Sequence, residues 1–340
     1  MLSVITLVDR EKWDSFVENF TQYDVYYLSS YVDAFRLHGD GQPHLFYYDD
    51  GKTRAVNVAM KRDISNSKHF KGRISSGQWF DLSTPYGYGG FLLEGDKNCD
   101  GLKTSYIEYC LENNIVSEFV RFHPLINNAE AVSTLYDVID LGKTVHIDLG
   151  DRNYIWENFT GKNRNVIRKS KRLGVEIHRG RSPNLFEEFQ KMYKQTMDGR
   201  GADQYYYFKS PFFDSIRNDL KDNSTIFYAT HKSKIIAMAI ILLCNHQMHY
   251  HLSCSDWDYR NYAANNLLLY EAALWGSDTG FKTFHLGGGL GGAEDSLFHF
   301  KKAFNRASHN VFAVGKACFN KRAYQMLIDI RKQDRNFDVG

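Results

Sequence analysis

The residues best placed to do chemistry lie near the end of the chain, in "TFHLGGGLGGAEDSLFHFKKAF" at 283–304. Five glycines separate an apolar strand pattern from a helix pattern that carries two adjacent lysines. Asp295 stands where a carboxylate can cap a helix N-terminus, and Leu297, Phe300 and Phe304 follow at i, i+3, i+7 spacing. At about 100° per residue these three side chains fall within about 60° of one another, Lys301 lies about 40° from Leu297, and Lys302 points away. Lys302 is therefore expected in solvent. Lys301 emerges beside the buried stripe, where an ammonium must pair with a core carboxylate, snorkel to water or face a polar cavity. The glycines at 287, 288 and 289 either let a ligand approach that helix closely or form a flexible turn.

A second group precedes it. In "MHYHLSC" strand alternation puts His249, His251 and Ser253 on one face and Tyr250 and Leu252 on the other. His251 or His285 can act as a base, because an imidazole titrates near neutrality; a hydrogen-bonded, non-catalytic histidine is the alternative for each. Two histidines at i, i+2 can also hold a metal, but no third ligand follows at a convincing spacing, so no metal is expected.

The elements that must carry these groups read as mixed α/β. Helix patterns cover 11–20, 26–38, 103–114, 152–173, 184–198 and 263–277. Strand patterns cover 45–62 as a hairpin, 118–123, 225–253 as about three strands, and 281–286. "LFYYDDGKTRAVNVAM" at 45–60 and "IFYATHKSKIIAMAI" at 226–240 share a pattern of strand, polar turn and strand, which suggests an internal duplication. Two domains, 1–150 and 151–340, are expected from that spacing and from the length of 340 residues. The longest apolar run, "IIAMAIILLC", is too short to cross a bilayer, which needs roughly 20 residues. It reads as a buried strand.

The first residues show no basic-then-apolar leader pattern, and the five cysteines form no CxxC pair, so a reducing cytoplasm is expected. A net charge of +2 gives no global field for nucleic acid, and no DNA partner is expected. Aromatic residues make up 15% of the chain, and core filling accounts for them better than a dedicated binding surface. One segment departs from that neutrality: "KNRNVIRKSKR" carries Lys162, Arg164, Arg168, Lys169, Lys171 and Arg172 within eleven residues. Arg164, Arg168, Lys171 and Arg172 share a helical face. A solvated helix, a binder of phosphorylated ligand or RNA, and a membrane-surface helix all fit that pattern. A charge run is usually a solvated face, and the density of arginine, whose planar fork suits phosphate, raises the second reading beside it.

The order strand, loop, helix, strand across 247–286 is the arrangement that GNAT-type acyltransferases use to hold their donor, with a loop of form R/Q-x-x-G-x-G/A offering backbone N–H groups to the pyrophosphate of coenzyme A. Here the equivalent stretch is "RNYAAN", from Arg260 to Asn265, with Ala263 where glycine and Asn265 where glycine or alanine is expected. The close approach of backbone to phosphate is therefore compromised, and the topology survives without the coenzyme A signature. More broadly the chain resembles the FemABX family of peptidyl and aminoacyl transferases. The matching pieces are "PYGYGG" at 85–90, "KNRNVIRKSKRLGVEI" at 162–177, "HYHLSCSD" at 249–256, "NNLLLYEAALWG" followed by "GFKTFHLGGG", and "LFHFKKAF" at 297–304. They occur in the family's order over more than two thirds of the chain. The long helical hairpin that several members use to hold tRNA has no counterpart, since 184–221 is too short and is broken by "SPFF".

The resemblance implies an α/β (α+β) fold of two tandem GNAT-like domains, each a mixed sheet flanked by helices. It also implies direct attack of an acceptor amine on an activated acyl carbonyl, with Lys301 of the Phe300-Lys301 pair at the developing oxyanion. The expected activity is acyl or aminoacyl transfer to an amine of a cell-envelope precursor, either a sugar nucleotide or a muropeptide. In this reading His251 or His285 assists deprotonation. Tyr86, Tyr88, Arg164, Arg168, His249, Ser253, Arg260, Gly287, Gly288, Gly289 and Phe300 contact substrate. No tightly bound cofactor is expected, and the donor is either a coenzyme A thioester or an aminoacyl-tRNA. Two other readings stand beside it: an acyl-CoA-dependent N-acetyltransferase, and a non-catalytic RNA- or glycan-binding protein on a transferase scaffold.

Overall fold

The computed structural model describes residues 1–334 and 337. Two compact units divide the chain: Met1–Asp140 with the segment from Phe312 onward, and Leu141–Val311. This differs from the expected division at 150/151 in two ways. The boundary falls inside a strand, and the last part of the chain returns to the first unit. A two-way cut of the sequence cannot show the return, because the strand that makes it is short and carries no linker.

The first unit contains β1 (Leu2–Ile5), α1 (Arg10–Glu18), α2 (Ser29–His38), β2 (Gln42–Asp49), β3 (Thr53–Asp63), β4 (Phe80–Ser83), β5 (Leu92–Gly95), α3 (Asp100–Glu112) and β6 (Ile115–Arg121). Next come β7 (Asp137–Asp148), which crosses the boundary, and then α4 (Arg152–Asn158), α5 (Gly161–Arg172), β8 (Glu176–Gly180), α6 (Pro183–Arg200) and α7 (Ser210–Asn218). The second unit continues with β9 (Ser224–His231), β10 (Lys234–Cys244), β11 (Gln247–Ser255), α8 (Ala264–Asp278), β12 (Thr283–Gly287) and α9 (Ser296–Lys302). Finally β13 (Asn310–Cys318) and α10 (Lys321–Arg331) follow.

The duplication read from the two hairpins is present in the topology. In the first unit β2 and β3 form an antiparallel hairpin, β4 is antiparallel to β3, and the chain crosses through α3 to β6, parallel to β4. In the second, β9 and β10 form the hairpin, β11 is antiparallel to β10, and the chain crosses through α8 to β12, parallel to β11. An antiparallel strand then closes each set, β13 on β6 and β7 on β12.

Each unit has its own core. That of the first is built around Phe46, Phe91, Tyr106 and Phe122, and that of the second around Phe159, Ile167, Ala239, Leu268, Phe284 and Phe304. β10 is apolar along its length because it lies between β9 and β11 and is buried from Ile236 to Cys244. Gly276 of α8 is required by packing, since a Cβ there would stand 2.3 Å from Met248 Sδ. The expected single helix over 152–173 is two helices, because Phe159 is extended and Thr160 starts a new one, its hydroxyl accepting from Asn163 N–H.

Candidate active site

Asp295 caps α9 as expected, accepting from the Phe298 N–H at 2.9 Å and from the Leu290 N–H at 3.1 Å. The cap sets the helix phase, and the phase differs from the expected one. Phe298 and Lys301 are the buried positions of α9, Phe304 is buried just beyond it, and Leu297 is 39% exposed. Phe300 is half-buried, edge-on to Phe304. Lys301 therefore lies within the inward stripe, three residues from Phe298, not at its margin.

Only 8% of Lys301 is exposed, and its Nζ donates to the Gly288 carbonyl at 2.6 Å. No carboxylate lies within ion-pairing distance of it among the described residues. Burial lowers its pKa to about 8, with Asp295 opposing the shift. The ammonium still predominates at pH 7, and two of its three N–H donors remain after the bond to Gly288. Lys302 is not in free solvent: its Nζ donates to the Ser308 carbonyl at 2.6 Å, and burial lowers its pKa as well.

The glycines before α9 serve this geometry. Gly287 has φ +78°. A Cβ on Gly288 would come 2.7 Å from the Lys143 carbonyl, and one on Gly289 would come 2.0 Å from the Ala293 carbonyl and 2.4 Å from the capping Asp295 carboxylate. Their lack of side chains is thus explained by close approach of the chain to itself, which presents the Gly288 carbonyl to Lys301.

What holds α9 was not legible from the sequence. Asn163 of α5, 2% exposed, donates from Nδ2 to the Ala303 carbonyl at 3.3 Å and accepts from Asn266 Nδ2 of α8 at 2.8 Å. The Thr160 N–H donates to the same Ala303 carbonyl at 2.9 Å, and Asn305 Nδ2 donates to the His146 carbonyl at 2.8 Å. The Ala303 carbonyl at the end of this short helix is thereby satisfied twice, by Asn163 of α5 and by its cap residue Thr160, while Asn305 ties the following turn to β7. The only advance signal is the asparagine pair itself, two amides in helix patterns where asparagine is a poor interior residue.

The histidines form a row. His249 of β11 is in register with His285 of β12, and His285 with His146 of β7, so all three side chains project from one face of the sheet. The rings of His249 and His285 are 5.7 Å apart at 74°. His251 breaks the expected alternation. The pairing steps from Ile240 opposite Leu252 to Ile241 opposite Tyr250, which leaves His251 as the extra residue of a bulge. Ser253 consequently hydrogen-bonds to Tyr250, which alternation places on the opposite face. Burial and the neighbouring His249 drive the His251 pKa down to about 3, so it does not titrate near neutrality and is a weak base.

β11 and β12 pair only from Gln247–His249 with Thr283–His285, after which β11 runs on to Ser255 without β12 beside it. The loop beyond β11 carries Arg260, exposed, with its guanidinium over the Trp257 ring at 4.9 Å and an N–H donated to the Trp257 carbonyl. Ala263 ends that loop in the left-handed region, φ +51°, and begins α8 without a side-chain cap. The backbone conformation that a glycine would favour is retained although the residue is alanine.

On α5, Arg164 turns back and donates to the carbonyls of Phe159 at 2.7 Å, Glu157 at 3.2 Å and Trp156 at 3.4 Å, closing the end of α4. Arg168 stacks over the Trp156 ring at 5.2 Å. Neither lies in a group with Lys301. In the first unit, the loop 85–90 is pinned by Arg121, whose guanidinium donates to the carbonyls of Thr84, Pro85 and Gly87. Tyr86 stacks on Phe35, and Tyr88 meets Tyr26, His123 and Phe312 edge-on. Sequence reasoning missed the dyad beneath it: His123 Nε2 lies 2.7 Å from Asp24 Oδ2, both residues fully buried. His123 Nδ1 accepts from the Leu125 and Ile126 N–H groups, so the proton is on Nε2 and is donated to Asp24.

Residues 158–302 match the Acetyltransferase (GNAT) domain family. UDP-N-acetylmuramoylpentapeptide-lysine N(6)-alanyltransferase of Weissella viridescens is 27% identical over 151 residues, which span 43% of this chain and 43% of that protein. The chain thus aligns with less than half the length of this curated relative. The crystal structure of FemX has TM-score 0.69 at 13% identity, covering 96% of this chain and 99% of that one. The C-terminal domain of a putative lysylphosphatidylglycerol synthetase from Agrobacterium fabrum has TM-score 0.60 at 13% identity, covering 96% of each chain. These two likenesses show the tandem fold along nearly the whole chain. No helix of the described residues is long and apolar enough to cross a membrane.

Proposed function

We propose that this chain is a FemABX-type transferase of the GNAT superfamily and transfers an acyl or aminoacyl group to an amine of a cell-envelope precursor. The observation that carries this reading is the buried Lys301 ammonium, held by the Gly288 carbonyl with donors to spare and no carboxylate partner among the described residues. In the reaction, the acceptor nitrogen attacks the acyl carbonyl carbon and the new C–N bond forms. The carbonyl oxygen becomes an anion facing Lys301, and collapse breaks the C–O bond of an ester donor or the C–S bond of a thioester. The amine proton leaves through His285, and the departing alcohol or thiol takes up a proton. His251, whose pKa burial and His249 drive down to about 3, is not the base.

The acceptor class follows the relative from Weissella viridescens, whose name specifies transfer of alanine to the lysine N6 of a UDP-linked muramoyl pentapeptide. An aminoacyl-tRNA donor is favoured by the resemblance to the FemABX transferases. A coenzyme A thioester is the second reading; it draws on the strand, loop, helix order around α8, where the left-handed Ala263 keeps a backbone conformation that glycine favours.

The test is a panel of alanyl-tRNA and acetyl-CoA against UDP-muramoyl pentapeptide, with product followed by mass spectrometry for the wild type and Lys301→Met. Transfer from one donor, lost in the variant with its fold intact, supports the reading. Transfer that survives the substitution at wild-type rate overturns it.

A further inference from the structure

The basic helix α5 is not absorbed by the site. Its buried positions are Asn163, Ile167 and Ser170, which face the core, and the opposite arc of about 120° holds Lys162, Arg168, Lys169 and Arg172. Arg164 and Lys171 lie on the flanks and are used within the protein, the first on α4 carbonyls and the second on Glu271 at 2.7 Å. The outward arc therefore differs from the face read in the sequence. Lys162, Lys169 and Arg172 have no acidic partner among the described residues.

This arrangement has a cost. Arg164 and Arg168, and Arg168 and Arg172, are like charges four residues apart, a spacing at which each pair destabilises a helix, and the C-terminal dipole relieves only the last turn. The helix carries six cations and no acid, whereas the rest of the chain is net acidic. A charge concentrated on one outward face, against that background, fits a polyanion. From Lys162 to Arg172 the face is roughly 15 Å long, enough to follow two or three successive phosphates. A membrane surface fits less well. Within α5 every exposed side chain is polar, and the lone apolar neighbour is Leu173 at the helix end, whereas an interfacial helix presents an apolar face to lipid.

We propose that the outward face of α5 is a docking surface for the phosphate backbone of RNA, separate from Lys301. It deepens the transfer reading, since an RNA-borne donor needs such a surface, but it is testable without turnover. The experiment measures binding of uncharged tRNA by fluorescence anisotropy across a salt series. The samples are the wild type, Lys162→Glu/Lys169→Glu/Arg172→Glu, and the charge-matched control Lys52→Glu/Lys68→Glu/Lys97→Glu in the first unit.

The wild type and the control are expected to bind with affinity falling as salt rises. The α5 variant is expected to bind at least tenfold more weakly, with a log–log salt slope smaller by about 2–3, and with unchanged circular dichroism. Equal weakening in both variants, or none in the α5 variant, overturns the proposal. So does wild-type binding to vesicles of anionic phospholipid without binding to tRNA. Should the α5 variant unfold, Lys169→Gln/Arg172→Gln is read in its place, with the same direction of change. RNA binding through α5 in a protein that transfers only from acetyl-CoA would uphold this surface while refuting the tRNA donor.

Discussion

The two units repeat one topology and differ where it could open. In the first, β4 pairs with β6 along its whole length, from Phe80 to Ser83, and the contact resumes at Gly89 opposite Phe122. In the second, the corresponding parallel pair separates after His249 and His285. The space beside the closed pair is filled. Arg121 gathers three carbonyls of the 84–87 stretch, Tyr26 and Tyr88 pack over it, and Asp24 and His123 satisfy each other beneath. Beside the parted pair stand a histidine row, a bulge and a lysine held by one carbonyl. Duplication supplied two scaffolds; in the first the Arg121 guanidinium is taken up by its own loop, whereas in the second Lys301 retains donors for a ligand.

The largest effect that tests this contrast is expected at Lys301. Replacement by methionine keeps the volume and removes the charge, and kcat should fall by roughly 10²–10³, about 3–4 kcal/mol of oxyanion stabilisation. Thermal stability should hold or rise, because a buried ammonium is removed. A stability loss with unchanged kcat would make Lys301 a structural residue like Arg121. Next is the loop of the closed unit. Gly87 has φ +98° and a Cβ there would meet the Tyr26 ring at 2.4 Å, so Gly87→Ala should lower stability by about 1–3 kcal/mol in denaturant unfolding. In the second unit Gly289→Ala should damage activity more than stability, by pushing Asp295 from the α9 cap.

Smaller effects sharpen the comparison. Asn163→Ala leaves the Asn266 amide and the Ala303 carbonyl short of a partner, at about 1–2 kcal/mol, and should lower kcat as α9 loosens. Within the first unit, Glu118 of β6 is 3% exposed and accepts from Tyr106 at 2.9 Å, Tyr136 at 2.8 Å and Asn57 at 3.2 Å. Burial raises its pKa to about 7 despite those donors. A carboxyl whose folded pKa is raised holds its proton more tightly in the native state. Its contribution to stability is therefore full below about 4.5 and declines as pH rises to about 7. Glu118→Gln should flatten that decline in melting curves taken between pH 5 and pH 8, and a decline of undiminished size would assign it to other groups.

Local rules made much of this legible. The Asp295 cap, the hairpins at 42–63 and 224–244, and the strand–helix–strand order around α8 all follow from spacing and propensity. The phase of α9 did not, because Leu297 and Phe298 are both large apolar residues and only the cap geometry chooses between them. Nor did the bulge at His251, since the register shift depends on the partner strand β10. The amide bridge from Asn163 to Asn266 joins residues 103 apart in sequence, and nothing local to either position marks it. The return of β13 to the first unit is likewise set by a partner far away in the chain.

The central claim is that the Lys301 ammonium, not its neutral amine, speeds the chemical step. It is tested most directly by the ratio of wild-type to Lys301→Met kcat across pH 6–10 at saturating donor and acceptor, since the ratio cancels ionisation of the substrates. Burial sets the lysine pKa near 8, so the ratio should be largest at pH 6–7 and fall towards unity as pH passes through about 8. A ratio that rises through that range would show the neutral amine acting as a base, and would contradict the account.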